Sequence, residues 1–250
     1  MQLSIIGAGN VAKHLAHYLS QNNTIKQIYS RSFNTAQTLA QQVGACAIAN
    51  INELQEVDFL IIAISDDQIA KVATSIQLKN TCIVHTSGTL SIDHLAGHNQ
   101  YGLLYPLQTF TKERIVDFSQ IPVFIEGNNK AVFKKIECFA SANFQRIESI
   151  ELDKRQYLHT GAVLVNNFVN HLMDKTQNFL SQQDIDFSLL FPLIKETIEK
   201  LEYNEAKVLQ TGPAKRGDQA TIDKHLDLIQ DIYLKKIYQL MSQSIASSAT

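Results

Sequence analysis

The sequence lacks the marks of a secreted, membrane-spanning or nucleic-acid-binding protein. Over 250 residues it carries 22 basic and 24 acidic side chains, a formal charge of -2. No bulk field therefore draws the chain to nucleic acid or to an anionic membrane. It has only three cysteines, Cys46, Cys82 and Cys138, far apart and without a CxxC pair. Such a set reads as reduced thiols and points to the cytoplasm. No apolar run approaches the roughly 20 residues that cross a bilayer. The N-terminus has no basic n-region and its apolar run breaks at Gly7, so no signal peptide is expected. Internal repeats and low-complexity linkers are missing too. His94 and His98 have helical spacing, but Gly97 lies between them and no clear set of further ligands accompanies them, so no metal is expected. What is left is an ordinary globular composition, 45% hydrophobic and 18% charged. The length allows one large domain or two modest ones.

The first half alternates strand and helix. "QLSII" (2–6) reads as a strand that runs into "GAGN", and residues 10–21 follow a helical period through Val11, Leu15, Ala16 and Leu19. "IKQIYS" (25–30) is a second strand and 34–43 a second helix ending at Gly44. "CAIA" is a brief third strand. "DFLIIAIS" (58–65) is a continuous apolar run, as suits a strand covered on both faces. A helix through "DQIAKVATSI" follows, with Asp66 or Asp67 as a plausible N-cap. Strands at "TCIVHTSG", "YGLLYP", "PVFIEG" and "FQRIES" and a helix through "KAVFKKIECFA" complete the half. The alternation implies an α/β, doubly wound, mostly parallel Rossmann-like sheet over 1–150. From 151 to 250 the strands stop and an all-α domain is expected. Residues 153–182 can run as one helix, with further helices at 185–201, 204–210, 219–230 and 231–244.

Gly7, Gly9 and Ala12 fit G-x-G-x-x-A between the first strand and the first helix. Gly7 permits the tight turn, Gly9 lets backbone approach a pyrophosphate, and the helix N-terminus at Asn10 and Val11 offers N–H donors to the anion. A NAD site would carry an acid at the end of strand two. Ser30, Arg31 and Ser32 stand there instead, so no carboxylate repels a 2′-phosphate and a guanidinium can grip one. The expected cofactor is NADP. A solvated Arg31 with no such role is the alternative.

Ligands of open α/β sheets lie beyond the carboxyl ends of the strands. Ile64 and Ser65 follow strand four and should flank the cofactor. "HTSG" follows strand five. Ser87 is a candidate catalytic contact, because Gly88 beside it allows close approach. His85 is either a substrate contact or a core histidine. "YPLQTF" offers Tyr105, Gln108 and Thr109, with Gln108 a candidate for substrate. On the first long helix, His159, Val163 and Asn167 are spaced by four, which places them on one helical face. A histidine and an amide there would suit proton donation and orientation of a carbonyl or imine. "TGPAKRGD" (211–218) has more charge than a turn needs. Arg216, at its tip, is a candidate grip for a substrate anion, and Asp218 a cap for the next helix.

With "GAGNVA", "HTSG", "YPLQTF", "HTGAVLVNNF" and "TGPAKRGD" in place, nearly the whole chain resembles Rossmann-like proteins with a C-terminal DUF2520 domain, often assigned as NADP oxidoreductases. That family is similar to the 6-phosphogluconate dehydrogenase-like group, with pyrroline-5-carboxylate reductase, F420-dependent NADP reductase and prephenate dehydrogenase as cousins. Many relatives have His-Pro where this chain has Tyr105-Pro106, so no histidine role carries over there. The cousins often use a Lys with an Asn on the first helix of the helical domain, where this chain shows His159 and Asn167. The resemblance implies a fold and a cofactor more firmly than a reaction. The expected activity is hydride transfer between NADP(H) and a small, anionic carbonyl or imine. A non-catalytic NADP(H) sensor or scaffold and a prephenate dehydrogenase-like enzyme are the alternatives. The apolar long helix further suggests a homodimer.

Overall fold

A computed structural model describes residues 1–114 and 116–248. Its eight strands are β1 (Gln2–Ile6), β2 (Thr24–Tyr29), β3 (Cys46–Ile48), β4 (Phe59–Ile62), β5 (Cys82–His85), β6 (Tyr101–Pro106), β7 (Pro122–Gly127) and β8 (Arg146–Ser149). They form one sheet in the order β3-β2-β1-β4-β5-β6-β7-β8. Every neighbouring pair is parallel except β6 with β7. The order reverses between β1 and β4. A crevice for ligand is expected outside the carboxyl ends of those two strands.

Local sequence explains the layers. All four residues of β4 and all four of β5 are buried, because helices cover both faces. The first helices are α1 (Asn10–Leu19), α2 (Phe33–Val43), α3 (Asp66–Ala73) and α4 (Lys130–Asn143). Gly44 ends α2 in the left-handed region at φ 69°. Asn129 caps α4, its side-chain oxygen accepting from the N–H of Ala131 and of Val132 at 3.0 Å each. The N-cap of α3 is Ser65 rather than either aspartate, so Asp66 and Asp67 are the first helical residues, where their charge suits the helix dipole. Phe59 and Phe139 stack at 4.4 Å and fasten α4 to the sheet. Burying one such ring contributes about 1.5–3 kcal/mol.

The chain divides into two compact units, Met1–Ala162 and Val163 onward. The helix α5 (Leu152–Ala162) falls in the first. Residues 152–181 are helical throughout, as the sequence suggests, but not in one register. Val163–Phe168 is π-helical, and α6 (Val169–Ser181) follows it. The i→i+5 bonding of a π segment is wider than an α turn.

The second unit continues with α7 (Phe191–Glu199), α8 (Ala206–Leu209), α9 (Pro213–Arg216), α10 (Gln219–Leu228) and α11 (Ile232–Ser248). "TGPAKRGD" folds as the single turn α9 between two glycines with positive φ, Gly212 at 108° and Gly217 at 67°. Asp218 caps α10, accepting from the N–H of Thr221 at 3.1 Å. Large apolar side chains of this unit stand exposed, among them Leu164, Val165, Phe168, Leu189, Phe191 and Leu193.

Candidate functional site

The cleft of the first unit encloses about 530 Å³ at the carboxyl ends of β1, β2, β4, β5 and β6. Gly7 makes its floor. Its φ is 126°, its N–H donates to the Tyr29 carbonyl at 2.8 Å, and a Cβ there would stand 2.1 Å from the Ala63 carbonyl oxygen. Only glycine fits that turn. Gly9 is the N-cap of α1 and brings no side chain to the first-turn N–H groups. A Cβ on Gly9 would meet nothing within 4 Å. The α1 N-terminus therefore faces the cleft with its donors free for an anion. Asn10, Val11, Ser30, Arg31, Ile64 and Ser65 line the same cleft. Arg31 is exposed at the end of β2. A dinucleotide with a 2′-phosphate fits this set: helix donors for the pyrophosphate, and a guanidinium where NAD enzymes place an acid. Ser32 does not line the cleft; it is the exposed N-cap of α2.

The far end of the cleft holds the groups suited to proton chemistry. Tyr105 Oη and His159 Nδ1 are 3.0 Å apart, and both residues line the cleft. Burial pushes the Tyr105 phenol up to about 12, with Asp66 adding to the rise and Arg155 opposing it. The phenol therefore keeps its proton, and when it donates to Nδ1 the imidazole proton stands on Nε2. Gly88 makes this contact possible. A Cβ there would lie 2.6 Å from His159 Nδ1, 2.7 Å from Tyr105 Cζ and 2.8 Å from Tyr105 Oη. Gln108 lines the same end, its Oε1 accepting from the N–H of Thr109 at 2.8 Å.

Two sequence expectations need correction. Ser87 lines the cleft, but its hydroxyl is spent. Oγ donates to Asp66 Oδ2 at 2.8 Å and accepts from the N–H groups of Thr89 and Leu90 at 3.1 Å each. It shapes the turn and has no proton left for substrate. His85 is fully buried and does not line the cleft. Its Nδ1 accepts from the Ser87 N–H at 3.1 Å, and its Nε2 has no hydrogen-bond partner. Burial lowers its pKa to about 4, with Arg155 and His94 adding to the drop while the Ser91 backbone and Asp66 oppose it. It is a neutral core histidine beneath the site. Asn167 and Arg216 are exposed residues of the second unit. His225, on α10, meets Tyr238 Oη with its Nδ1 at 2.7 Å.

Arg155 is the residue that sequence reasoning missed. Its side chain is 0% exposed. Nη1 donates to Glu126 Oε2 at 2.6 Å and Nη2 to the Leu90 carbonyl at 2.5 Å. Next to it, Gln156 Nε2 donates to the Thr89 carbonyl at 3.0 Å. The one available signal was its spacing of four from His159. Among the described residues no group of His, Cys, Asp or Glu is arranged to hold a metal ion. No described helix is long and apolar enough to cross a membrane.

Known proteins agree with this geometry. Residues 2–88 match the family "NADP oxidoreductase coenzyme F420-dependent", and residues 121–245 match "Domain of unknown function (DUF2520)". No curated protein matches the sequence. Among solved structures, a candidate NADP oxidoreductase of Bacteroides fragilis superposes with a TM-score of 0.93 at 34% identity, covering 98% of each chain. An imine reductase of Myxococcus stipitatus in complex with NADP+ gives 0.65 at 12% identity, covering 99% of this chain and 94% of that one. A 1-pyrroline-5-carboxylate reductase of Streptococcus pyogenes gives 0.60 at 14% identity, covering 99% and 98%. The last two share the fold alone. A Rossmann cleft with a guanidinium at the end of β2 and a full-length relative at this identity place the chain in the DUF2520 family of NADP-dependent oxidoreductases.

Proposed function

We propose that the cleft reduces a small carbonyl or imine, with His159 Nε2–H as the proton donor. The 3.0 Å contact of Tyr105 Oη with His159 Nδ1, inside the cofactor cleft, carries this reading. Bound NADPH supplies the hydride. The chain's own part begins at the N-terminus of α1 and at Arg31, which hold the phosphates and so fix the depth of the cofactor. Tyr105 donates to Nδ1 and thereby selects the tautomer that carries a proton on Nε2. His159 then offers that proton to the oxygen or nitrogen that becomes basic as the carbon is reduced. As Nε2 gives up its proton, Nδ1 takes the Tyr105 hydroxyl proton, so no imidazolate is left; one hydride and one proton convert C=O to CH–OH or C=N to CH–NH, and the phenol regains its proton from solvent. Ser87 keeps its turn through Asp66 and leaves room beside Gly88.

The substrate we propose is anionic, gripped by Arg216 on its one-turn helix, with Asn167 orienting the carbonyl or imine. The guanidinium is exposed at the end of a single turn between two glycines, and its planar fork suits bidentate capture of a carboxylate. We further propose a homodimer, because the second unit leaves so many apolar side chains exposed.

The test is NADPH oxidation at 340 nm over a panel of 2-oxo acids, cyclic imines and imino acids, with wild type and His159→Ala. His159→Ala should lower kcat about 100-fold or more while NADPH affinity stays within about twofold. NADPH binding without turnover on any member would overturn the enzyme reading and favour a sensor. On a substrate that turns over, Arg216→Lys should raise KM strongly, since a point charge cannot replace a planar fork.

A further inference from the structure

Arg155 takes no part in the proton transfer proposed above, yet it is the largest fully buried side chain among the described residues. A guanidinium out of water is costly unless its donors are used. Here two of the three nitrogens are used and Nε has no partner. The bonds it does make join three elements. Glu126 belongs to β7, Leu90 to the turn after β5, and Arg155 itself to the first turns of α5. Gln156 adds a second tie to the same turn through the Thr89 carbonyl. That turn is the one whose hydroxyls, Ser87 and Thr89, converge on Asp66 Oδ2 at 2.8 and 2.6 Å. His159 stands one helical turn beyond Arg155 on the same face. Gly88, in the anchored turn, lies directly beneath the Tyr105–His159 contact.

We propose that Arg155 is the positioning residue of this site: its clamp on Glu126 and on the Leu90 carbonyl sets α5 so that His159 meets Tyr105. The inference rests on the role given above to His159. The charged and titratable groups around this wall are Asp66 from α3, His85 from β5, His94 from the 3-10 segment Ile92–Leu95, Tyr105 from β6 and Glu126 from β7. Arg155 is the second-largest cause of the low His85 value, after burial, and it pulls against the rise at Tyr105.

The experiment uses the full chain saturated with NADPH and side-chain nitrogen NMR of the imidazoles, with His159→Asn and His85→Asn to identify the two signals. In wild type, His159 should show the single Nε2–H tautomer. In Arg155→Met the two tautomers should mix, and Arg155→Lys should restore much of the single form by keeping one charged donor. The His85 protonation midpoint should rise in Arg155→Met by on the order of one pH unit, and much less in Arg155→Lys. A folded, NADPH-binding Arg155→Met with an unmoved tautomer and an unmoved His85 midpoint overturns the proposal. If Arg155→Met does not fold, the double variant with Glu126→Gln removes the orphaned carboxylate as well, and is read in the same way. Neither readout needs turnover. Failure to find a substrate would thus count against the proposed reaction, and an unmoved spectrum against Arg155.

Discussion

Gly88→Ala separates the Tyr105–His159 contact from the rest of the site. The added Cβ would sit 2.6 Å from His159 Nδ1, whereas ordinary contact begins near 3.4 Å. It falls short by about 0.8 Å, deep in the repulsive wall. Tyr105 Cζ and Oη, at 2.7 and 2.8 Å, leave no escape on the other side. The two rings must part, and a bond of 3.0 Å pushed out by that much is no longer a hydrogen bond. The fold should tolerate this. Overpacking of one methyl typically costs about 1–3 kcal/mol. The donor should not tolerate it, because Nε2–H is no longer the selected tautomer. We expect kcat to fall about 10- to 100-fold, a fraction of what a positioned general acid contributes, with NADPH affinity within about twofold. The assay is oxidation of NADPH at 340 nm, with urea melts run alongside. The discriminating step is a cycle with Tyr105→Phe. If Gly88→Ala acts through the contact, its cost in kcat should largely vanish once the hydroxyl is gone, since coupled neighbours are non-additive. Equal, additive losses in both backgrounds, or an unchanged kcat with a cooperative melt, would refute the reasoning.

Arg31→Ala should weaken NADPH at least tenfold and leave NADH unchanged, a loss of about 1.4 kcal/mol per decade; fluorescence titration of both nucleotides decides, and equal losses would dismiss the 2′-phosphate role. His85 titrates near 4 in the folded chain and at 6.5 when unperturbed, so the unfolded state binds the extra proton between those values. Its stabilising effect is complete above 6.5 and is lost as pH falls toward 4; urea melts at pH 7.5 and 5 should differ by roughly 2 kcal/mol from this group, and His85→Asn should flatten the difference. Light scattering at micromolar concentration should give twice the chain mass, and a monomer would show that the exposed apolar side chains of the second unit have another use.

The sheet was legible because its signals are local and redundant. The apolar run "FLII" of β4 and the "CIV" of β5 are short, rich in β-branched side chains and bounded by turn residues, which reads as buried strand, and Gly7 and Gly9 fall where the first strand must turn. The long helix shows where period fails. Residues 152–181 are helical as the absence of proline suggests, yet the π segment at Val163–Phe168 leaves no mark in apolar spacing, because "VLVNNF" reads equally well in either register.

The site was legible only where one residue does one thing. Gly7 answers a single geometric demand, a turn at φ 126° with no room for a Cβ, so its residue type names its role. Ser87 and His85 are different, since a hydroxyl and an imidazole serve substrate or scaffold equally well, and only their partners decide. Ser87 gives its proton to Asp66, and His85 turns its Nδ1 to the Ser87 N–H, so both work for the turn that carries Gly88. Arg155 is the extreme case. In "DKRQYLH" a guanidinium among charged and polar neighbours reads as a solvated helix face, and solvation is the usual outcome for arginine. What places it inside is Glu126, 29 residues earlier on a strand whose own sequence, "PVFIEG", gives no hint of a partner. Long-range pairing of opposite charges is invisible to spacing. Here it ties down the helix that carries the proposed proton donor, so the least legible residue, buried behind the cleft, is the one on which our proposal makes the geometry of His159 depend.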